Sequence, residues 1–152
     1  MRIINTAIVC ITAIFAVLSL TSCDPMSSVD YRIYNMTGDT VTVNMYDEIL
    51  ESSYQGFSIE ENDSVTTYYG PEDSITVAIL GPDQVLWVHD DWHGLYREEW
   101  IVPVWTYIRS INIADRVLEA RLWKSESAWH LKSEGGGFGE GESRYYSYFI
   151  RE

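Results

Sequence analysis

The most regular pattern along the chain is an alternation of large apolar and polar residues. It occupies residues 31–35 and 41–45, on either side of the short polar segment 37–39. A period of two is typical of a strand with one buried face. We therefore predict two strands joined as a hairpin. The residues predicted for its buried face are Tyr31, Ile33, Asn35, Val41, Val43 and Met45.

Similar segments recur through the rest of the chain, separated by turn-forming Gly, Pro, Asn and Asp. Strands at a spacing of about 8–12 residues are typical of sandwiches and barrels. We predict an all-β fold, an antiparallel β-sandwich of immunoglobulin-like or similar Greek-key type. The further predicted strands span residues 55–60, 64–69, 74–80, 84–89, 100–109, 128–132 and 145–150.

Residues 112–122 fit two periods. Their apolar positions form a helical stripe, but Leu118, Ala120 and Leu122 equally form one face of a strand. We predict a short helix or turn near 112–118, followed by a strand through Trp123. The Gly-rich segment 134–142 predicts a loop.

The N-terminus has a different pattern. Arg2 precedes an apolar run over residues 7–18, which is shorter than the about 20 apolar residues that span a bilayer. The motif Leu20-Thr21-Ser22-Cys23 follows and resembles the lipobox of bacterial lipoproteins. The resemblance implies that residues 1–22 are removed as a signal peptide and that Cys23 carries acyl chains such as palmitate. An ordinary signal peptide and an N-terminal membrane anchor are the alternatives.

The same resemblance implies a domain organisation and a location. Residues 23–29 form a tether, and residues 30–152 form a single β-sandwich domain in the cell envelope. We expect anchoring in the outer membrane, on a side that the sequence leaves open. Asp24 leaves the inner membrane as an alternative, because an acidic residue there retains some lipoproteins. The Tyr-rich strands also resemble small uncharacterised envelope lipoproteins of Bacteroidota-type bacteria.

Charge and cysteine content narrow the range of functions. The chain has 10 Lys and Arg against 23 Asp and Glu, a net charge of −13. Such a domain is repelled by nucleic acid and by anionic lipid, so we expect no nucleic-acid partner and attachment through the acyl chains alone. Cys10 lies in the predicted signal peptide and Cys23 is its predicted lipidation site. The mature domain therefore has no thiol for a disulfide or a nucleophile.

The densest polar cluster is the segment from His89 to His93. His89, Asp91 and His93 are candidate ligands for zinc or another divalent ion. A solvated acidic loop after strand 84–89 explains the same residues. The chain lacks His-Glu-x-x-His, Gly-x-Ser-x-Gly and a phosphate-binding loop. We therefore expect a protein that is not an enzyme and has no cofactor, with a metal-dependent hydrolase as the alternative.

Aromatic residues suggest a binding role. All six Trp residues lie at or after Trp87, and we expect most of them to fill the core. Trp92 and Trp100 are the candidates for stacking on sugar rings. Three segments of Asp followed by Ser or Thr and an aliphatic residue resemble Bacteroidota-type O-glycosylation sites, although turn chemistry also explains them. The acceptors would be Thr40, Ser64 and Ser74.

Three functions follow from these patterns. The first is a non-enzymatic envelope lipoprotein that binds an envelope protein or has a structural role. The second is a glycan-binding module that uses exposed Trp or Tyr rings. The third is a hydrolase with a metal at His89 and His93.

Overall fold

The computed structural model describes residues 25–51, 56–61, 64–69, 76–97, 101–136 and 141–151. The predicted signal peptide, Cys23, Ser74 and Trp100 lie outside these ranges. Within them, no helix has the length and apolar character needed to cross a membrane.

Ten strands account for most of the described chain. Their bounds are β1 Met26–Asn35, β2 Val41–Met45, β3 Gly56–Glu61, β4 Ser64–Tyr69, β5 Val77–Leu80, β6 Val85–His93, β7 Ile108–Ile113, β8 Arg116–Val117, β9 His130–Gly135 and β10 Glu142–Ile150. One short helix, α1, spans Val104–Tyr107, and 3-10 turns span Asp47–Glu51, Ala120–Leu122 and Glu126–Ala128.

The strands form two sheets. The six-stranded sheet has the order β4-β3-β6-β1-β10-β9, and the four-stranded sheet has the order β5-β2-β7-β8. The described strand pairs are antiparallel, apart from β1 and β10, which run parallel. The prediction of an all-β, sandwich-like fold is therefore confirmed.

The predicted hairpin of β1 and β2 is wrong, because the two strands belong to different sheets. β1 pairs with β6 and β10, whereas β2 pairs with β5 and β7. The Asn35 side chain, fully buried at the end of β1, donates to the carbonyl oxygens of Leu80 and Gly81 at the end of β5. These bonds link the end of one sheet to the end of the other, so residues 36–40 cross between the sheets.

The core lies between the two sheets and follows the predicted alternation. Every second residue of β1 and β2 is buried, which confirms the predicted buried face. When two sheets face each other, each strand buries one side against the opposite sheet. An alternation of apolar and polar residues therefore identifies the buried side of the strand. The fully buried large side chains include Trp123, Tyr31, Phe57, Ile33, Ile49, Leu80, Leu86, Ile108, Ile111 and Ile150.

Three tryptophans complete the core over the inner face of the six-stranded sheet. Trp105 and Trp129 lie edge-on to Tyr31, at ring-centroid distances of 5.6 and 5.8 Å. Tyr31 stacks on Tyr146 of β10 at 4.9 Å. Trp123 is 1% exposed and accepts a hydrogen bond from Trp129 Nε1 through its carbonyl oxygen. These three tryptophans are therefore structural, as expected for most of the six.

Two element predictions in this region are wrong. The predicted strand 100–109 contains helix α1, which begins directly after Pro103; proline favours the residue positions that start a helix. Of the short helix or turn predicted near 112–118, the structure has the turn, which lies at Ala114 and Asp115 and joins β7 to β8. A 3-10 turn at Ala120–Leu122 replaces the predicted strand through Trp123, and this turn precedes the buried Trp123.

The predicted tether at 23–29 is also wrong from Met26 onwards. Met26–Val29 form the beginning of β1 and pair with β6, where Met26 lies opposite His93. Ser27 and Val29 are buried. The domain therefore begins only three residues after Cys23, and its first strand lies in the middle of the larger sheet.

Candidate functional site

The outward side of the six-stranded sheet carries an unusual set of side chains, which we call the outer face. Strand alternation points these residues away from the core, and the strand register brings them into three neighbouring rows. The rows are Val85–Tyr34–Phe149, Trp87–Arg32–Ser147–His130 and His89–Asp30–Tyr145–Lys132. Rings and charged groups thus lie together at the centre of the outward side of this sheet.

Asp30 is the most buried member of the outer face. It is 4% exposed although it points away from the core. Its Oδ1 accepts a hydrogen bond from Trp87 Nε1 at 2.6 Å and another from His89 Nδ1 at 2.6 Å. Burying a carboxylate is costly unless such donors compensate it. Asp30 therefore fixes the orientation of both rings, as a supporting residue does in a preorganised site.

His89 is held in one orientation by this contact. A carboxylate only accepts hydrogen bonds, so Nδ1 carries the proton and Nε2 is left for other partners. The pKa of His89 is raised above its usual value, chiefly by the hydrogen bond to Asp30, although partial burial opposes the shift. The negative charges of Asp30, Asp91 and Asp90 act in the same direction. The contact with Asp30 therefore stabilises the protonated form of His89 relative to a free imidazole.

Aromatic pairs surround the Asp30 network. Tyr34 and Phe149 stack with ring centroids 4.7 Å apart and an interplanar angle of 16°. The His130 ring lies edge-on to Phe149 at 5.5 Å. The guanidinium carbon of Arg32 lies 5.0 Å from the centre of the Trp87 ring. Such cross-strand pairs stabilise a sheet, and here they place half-buried rings next to the guanidinium group of Arg32.

The candidate metal ligands are placed differently by the fold. His89 contacts Asp30, and Asp91 is exposed two residues further along β6. The backbone of His93 pairs with Met26, but its side chain lies outside the described part of the structure. Among the described residues, no group of three His, Cys, Asp or Glu side chains could hold a metal ion. Metal binding by His89, Asp91 and His93 stays a prediction.

The loop expected at this segment is wrong, because His89–His93 continue strand β6. Asp90 is 6% exposed and lies on the core side of the strand. The polar residues of this segment therefore belong to a strand, with Asp90 on its core side and His89 on its outer side.

Of the two candidate stacking residues, the structure describes only Trp92, and it does not belong to the outer face. Trp92 is half-buried and packs against the core, and its Nε1 donates to the carbonyl oxygen of Leu95 at 3.4 Å. Trp100 lies outside the described residues. Sequence reasoning missed Asp30, Arg32 and Trp87 as a group. Asp30 and Arg32 occupy the polar positions that alternate with the buried residues of β1. The sequence pattern by itself predicts only that such positions face solvent.

The candidate modification sites have mixed outcomes. Thr40 is exposed directly before β2, which is compatible with modification. Ser64 begins β4, but its side chain is outside the described part, as is the whole of Ser74. O-glycosylation stays a prediction at all three. Asn35, within an apparent N-glycosylation sequon, is fully buried and hydrogen-bonded, so its folded-state role is structural.

Comparison with known proteins adds no family. No protein-family model matches the chain, and a search of curated proteins gives no significant match.

Proposed function

We propose that the chain is a lipid-anchored envelope protein that binds a glycan on the outer face of its six-stranded sheet, without catalysing a reaction. The observation that carries this proposal is the set of rings and hydrogen-bonding groups held around the buried carboxylate of Asp30. The lipid anchor at Cys23 is proposed from the lipobox resemblance alone.

Sugar recognition combines two kinds of contact that this surface offers. The C–H groups of a pyranose ring carry partial positive charge and are attracted to the negative face of an aromatic ring. Sugar hydroxyls need nearby donors and acceptors. Tyr34 lies next to Trp87 and stacks one ring face on Phe149, which leaves its other face for a sugar ring. His89 Nε2 and the hydroxyl of Ser147 offer polar contacts.

The position of the Asp30 network favours binding over a purely structural surface. Outward charged residues of a sheet are normally solvated, and a buried carboxylate contributes little net stability even when paired. Asp30 instead locks two large rings in place at the centre of the sheet. Prealigned rings lose less conformational entropy on binding, which raises affinity.

The test is a glycan array probed with fluorescently labelled protein purified in detergent from cells that express the full chain. We compare the unmodified protein with Tyr34→Ala and with Tyr46→Ala. Tyr46 is 41% exposed and directly follows β2 of the other sheet, so its loss is the matched control.

Binding to at least one glycan class, weakened about tenfold or more by Tyr34→Ala and unaffected by Tyr46→Ala, supports the proposal; tenfold corresponds to about 1.4 kcal/mol. If no glycan binds, or if Tyr34→Ala binds as well as the unmodified protein, the outer face is a structural surface. The rings would then serve only as cross-strand pairs.

The anchor is tested separately by mass spectrometry of the same membrane-derived protein. A peptide that begins at an acylated Cys23 supports the lipoprotein proposal. A chain that retains Met1 and carries no acyl group contradicts it, whatever the glycan result.

A further inference from the structure

Arg32 stands out among the charged residues of the outer face. It lies on β1 near the centre of the sheet, half-buried, with its guanidinium carbon 5.0 Å from the centre of the Trp87 ring. Its Nε is buried and has no hydrogen-bond partner within the described part of the chain. A buried N–H without a partner is unfavourable, so the arrangement calls for an explanation.

Arg32 also has no carboxylate partner among the described residues, although acidic residues outnumber basic ones in the sequence by 23 to 10. In the described ranges, no acidic side chain forms an ion pair with Arg32. Asp30, two residues away on the same face, already accepts hydrogen bonds from Trp87 and His89. Other basic residues do have acidic partners, namely Arg121 with Glu119, Lys132 with Glu134 and Arg144 with Glu142.

The surroundings of Arg32 suit a small anionic group. Ser147 lies beside Arg32 in the register of β10, and His130 lies beyond it on the exposed strand β9. The short serine side chain thus lies between two larger nitrogen-bearing side chains.

We propose that the outer face is specific for glycans that carry carboxylate groups, such as uronic or sialic acids, and that Arg32 binds the carboxylate. This inference rests on the glycan binding proposed above. The planar guanidinium fork matches a carboxylate and can donate two parallel hydrogen bonds to it. The neighbouring rings of Tyr34 and Phe149 lie one row away, within reach of the sugar that carries the acid.

Because the whole protein is strongly acidic, binding of an acidic glycan must depend on a local contact such as that with Arg32. A net charge of −13 repels polyanions at long range, so general attraction cannot account for acid binding. Acidic peptides could also reach Arg32, but they do not need a sugar-sized aromatic surface beside it. An acidic peptide is therefore an outcome of the test.

The test is isothermal titration calorimetry on the full-chain protein in detergent at about 0.15 M salt, where surface charges are largely screened. The probes are trigalacturonate, an alginate trimer and sialyllactose, each paired with its neutral methyl ester, and hexaglutamate as the acidic peptide. The variants are Arg32→Gln, which removes the charge, and Arg109→Gln, an exposed control on β7 of the other sheet.

We expect the unmodified protein to bind at least one acid about tenfold or more tightly than its ester. Arg32→Gln should bring that ratio close to one without weakening ester binding. Arg109→Gln should behave as the unmodified protein does.

Four results would overturn the inference. Equal affinity for acid and ester, or no affinity for any acidic probe while neutral glycans bind on the array, removes the acid specificity but keeps the glycan proposal. A ratio that survives Arg32→Gln removes the role of Arg32. Binding of hexaglutamate as tight as that of the acidic sugars replaces the glycan with a peptide. If no glycan binds at all, both proposals fail.

Discussion

Replacing Asn35 with alanine should destabilise the domain more than any other single polar substitution considered for β1. Asn35 is 0% exposed. Its Nδ2 donates to the carbonyl oxygens of Gly81 at 2.8 Å, Leu80 at 3.1 Å and Asp39 at 2.8 Å. Its Oδ1 accepts from the backbone N–H of Thr37 at 3.0 Å and from the Thr37 hydroxyl at 2.8 Å.

The expected loss of stability depends on which of these hydrogen bonds water can replace after the substitution. Three are buried: those to Leu80 O, Thr37 N and Thr37 Oγ1. At about 1 kcal/mol or slightly more for each partner left unsatisfied, Asn35→Ala should cost roughly 3–4 kcal/mol. That is a large share of the about 5–15 kcal/mol that stabilises a typical domain.

Urea unfolding of the full chain in detergent, followed by tryptophan fluorescence, measures this loss as a lower midpoint. Asn44→Ala is the matched control, because Asn44 makes a single part-buried bond to Ser110 at 3.0 Å and its loss should cost about 1 kcal/mol or less. Asn35→Asp should also destabilise, since a carboxylate cannot donate to Leu80 and Gly81. If Asn35→Ala loses no more stability than Asn44→Ala, Asn35 does not link the two sheets as argued.

Two further predictions concern pH and a glycine. The pKa of His89 is raised in the folded state, so its contact with Asp30 stabilises the protein fully below about pH 6.5 and this contribution disappears as pH rises through the raised value. His89→Gln should lose roughly 0.5–1 kcal/mol at pH 6 and less at pH 8.5, a small effect because the His89 side chain is 36% exposed; an equal loss at both pH values in urea unfolding would contradict the linkage. Gly141→Ala should destabilise by about 1–3 kcal/mol, because an added Cβ would overlap the backbone carbonyl of Met26. Gly81→Ala is its control, since a Cβ there meets only the side chain of Gln84, at 3.4 Å. Similar urea midpoints for the two variants would show that β1 accommodates the added Cβ at Gly141 without loss of stability.

The proposed site was partly accessible from sequence. His89 was singled out, and strand β1 was correctly placed over residues 31–35. Asp30 and Arg32 were not recognised, because their importance depends on the strands that flank β1. Trp87 lies opposite Arg32 and His89 lies opposite Asp30 only in the antiparallel register of β6 with β1. That register pairs residues far apart in the chain, and local patterns carry no information about it.

The sequence by itself determined the all-β class and the faces of β1 and β2, because a strand with one buried side imposes a period of two on its own residues. The motif at Cys23 and the acidic composition are likewise local properties that need no fold to be recognised. Only the tertiary structure decided that β1 and β2 belong to different sheets and that β1 runs parallel to β10. It alone also showed that the polar side of β1 carries a buried carboxylate and an arginine that lies over the Trp87 ring. These features arise where strands distant in sequence meet, and the free energy of that meeting depends on side chains from both partners.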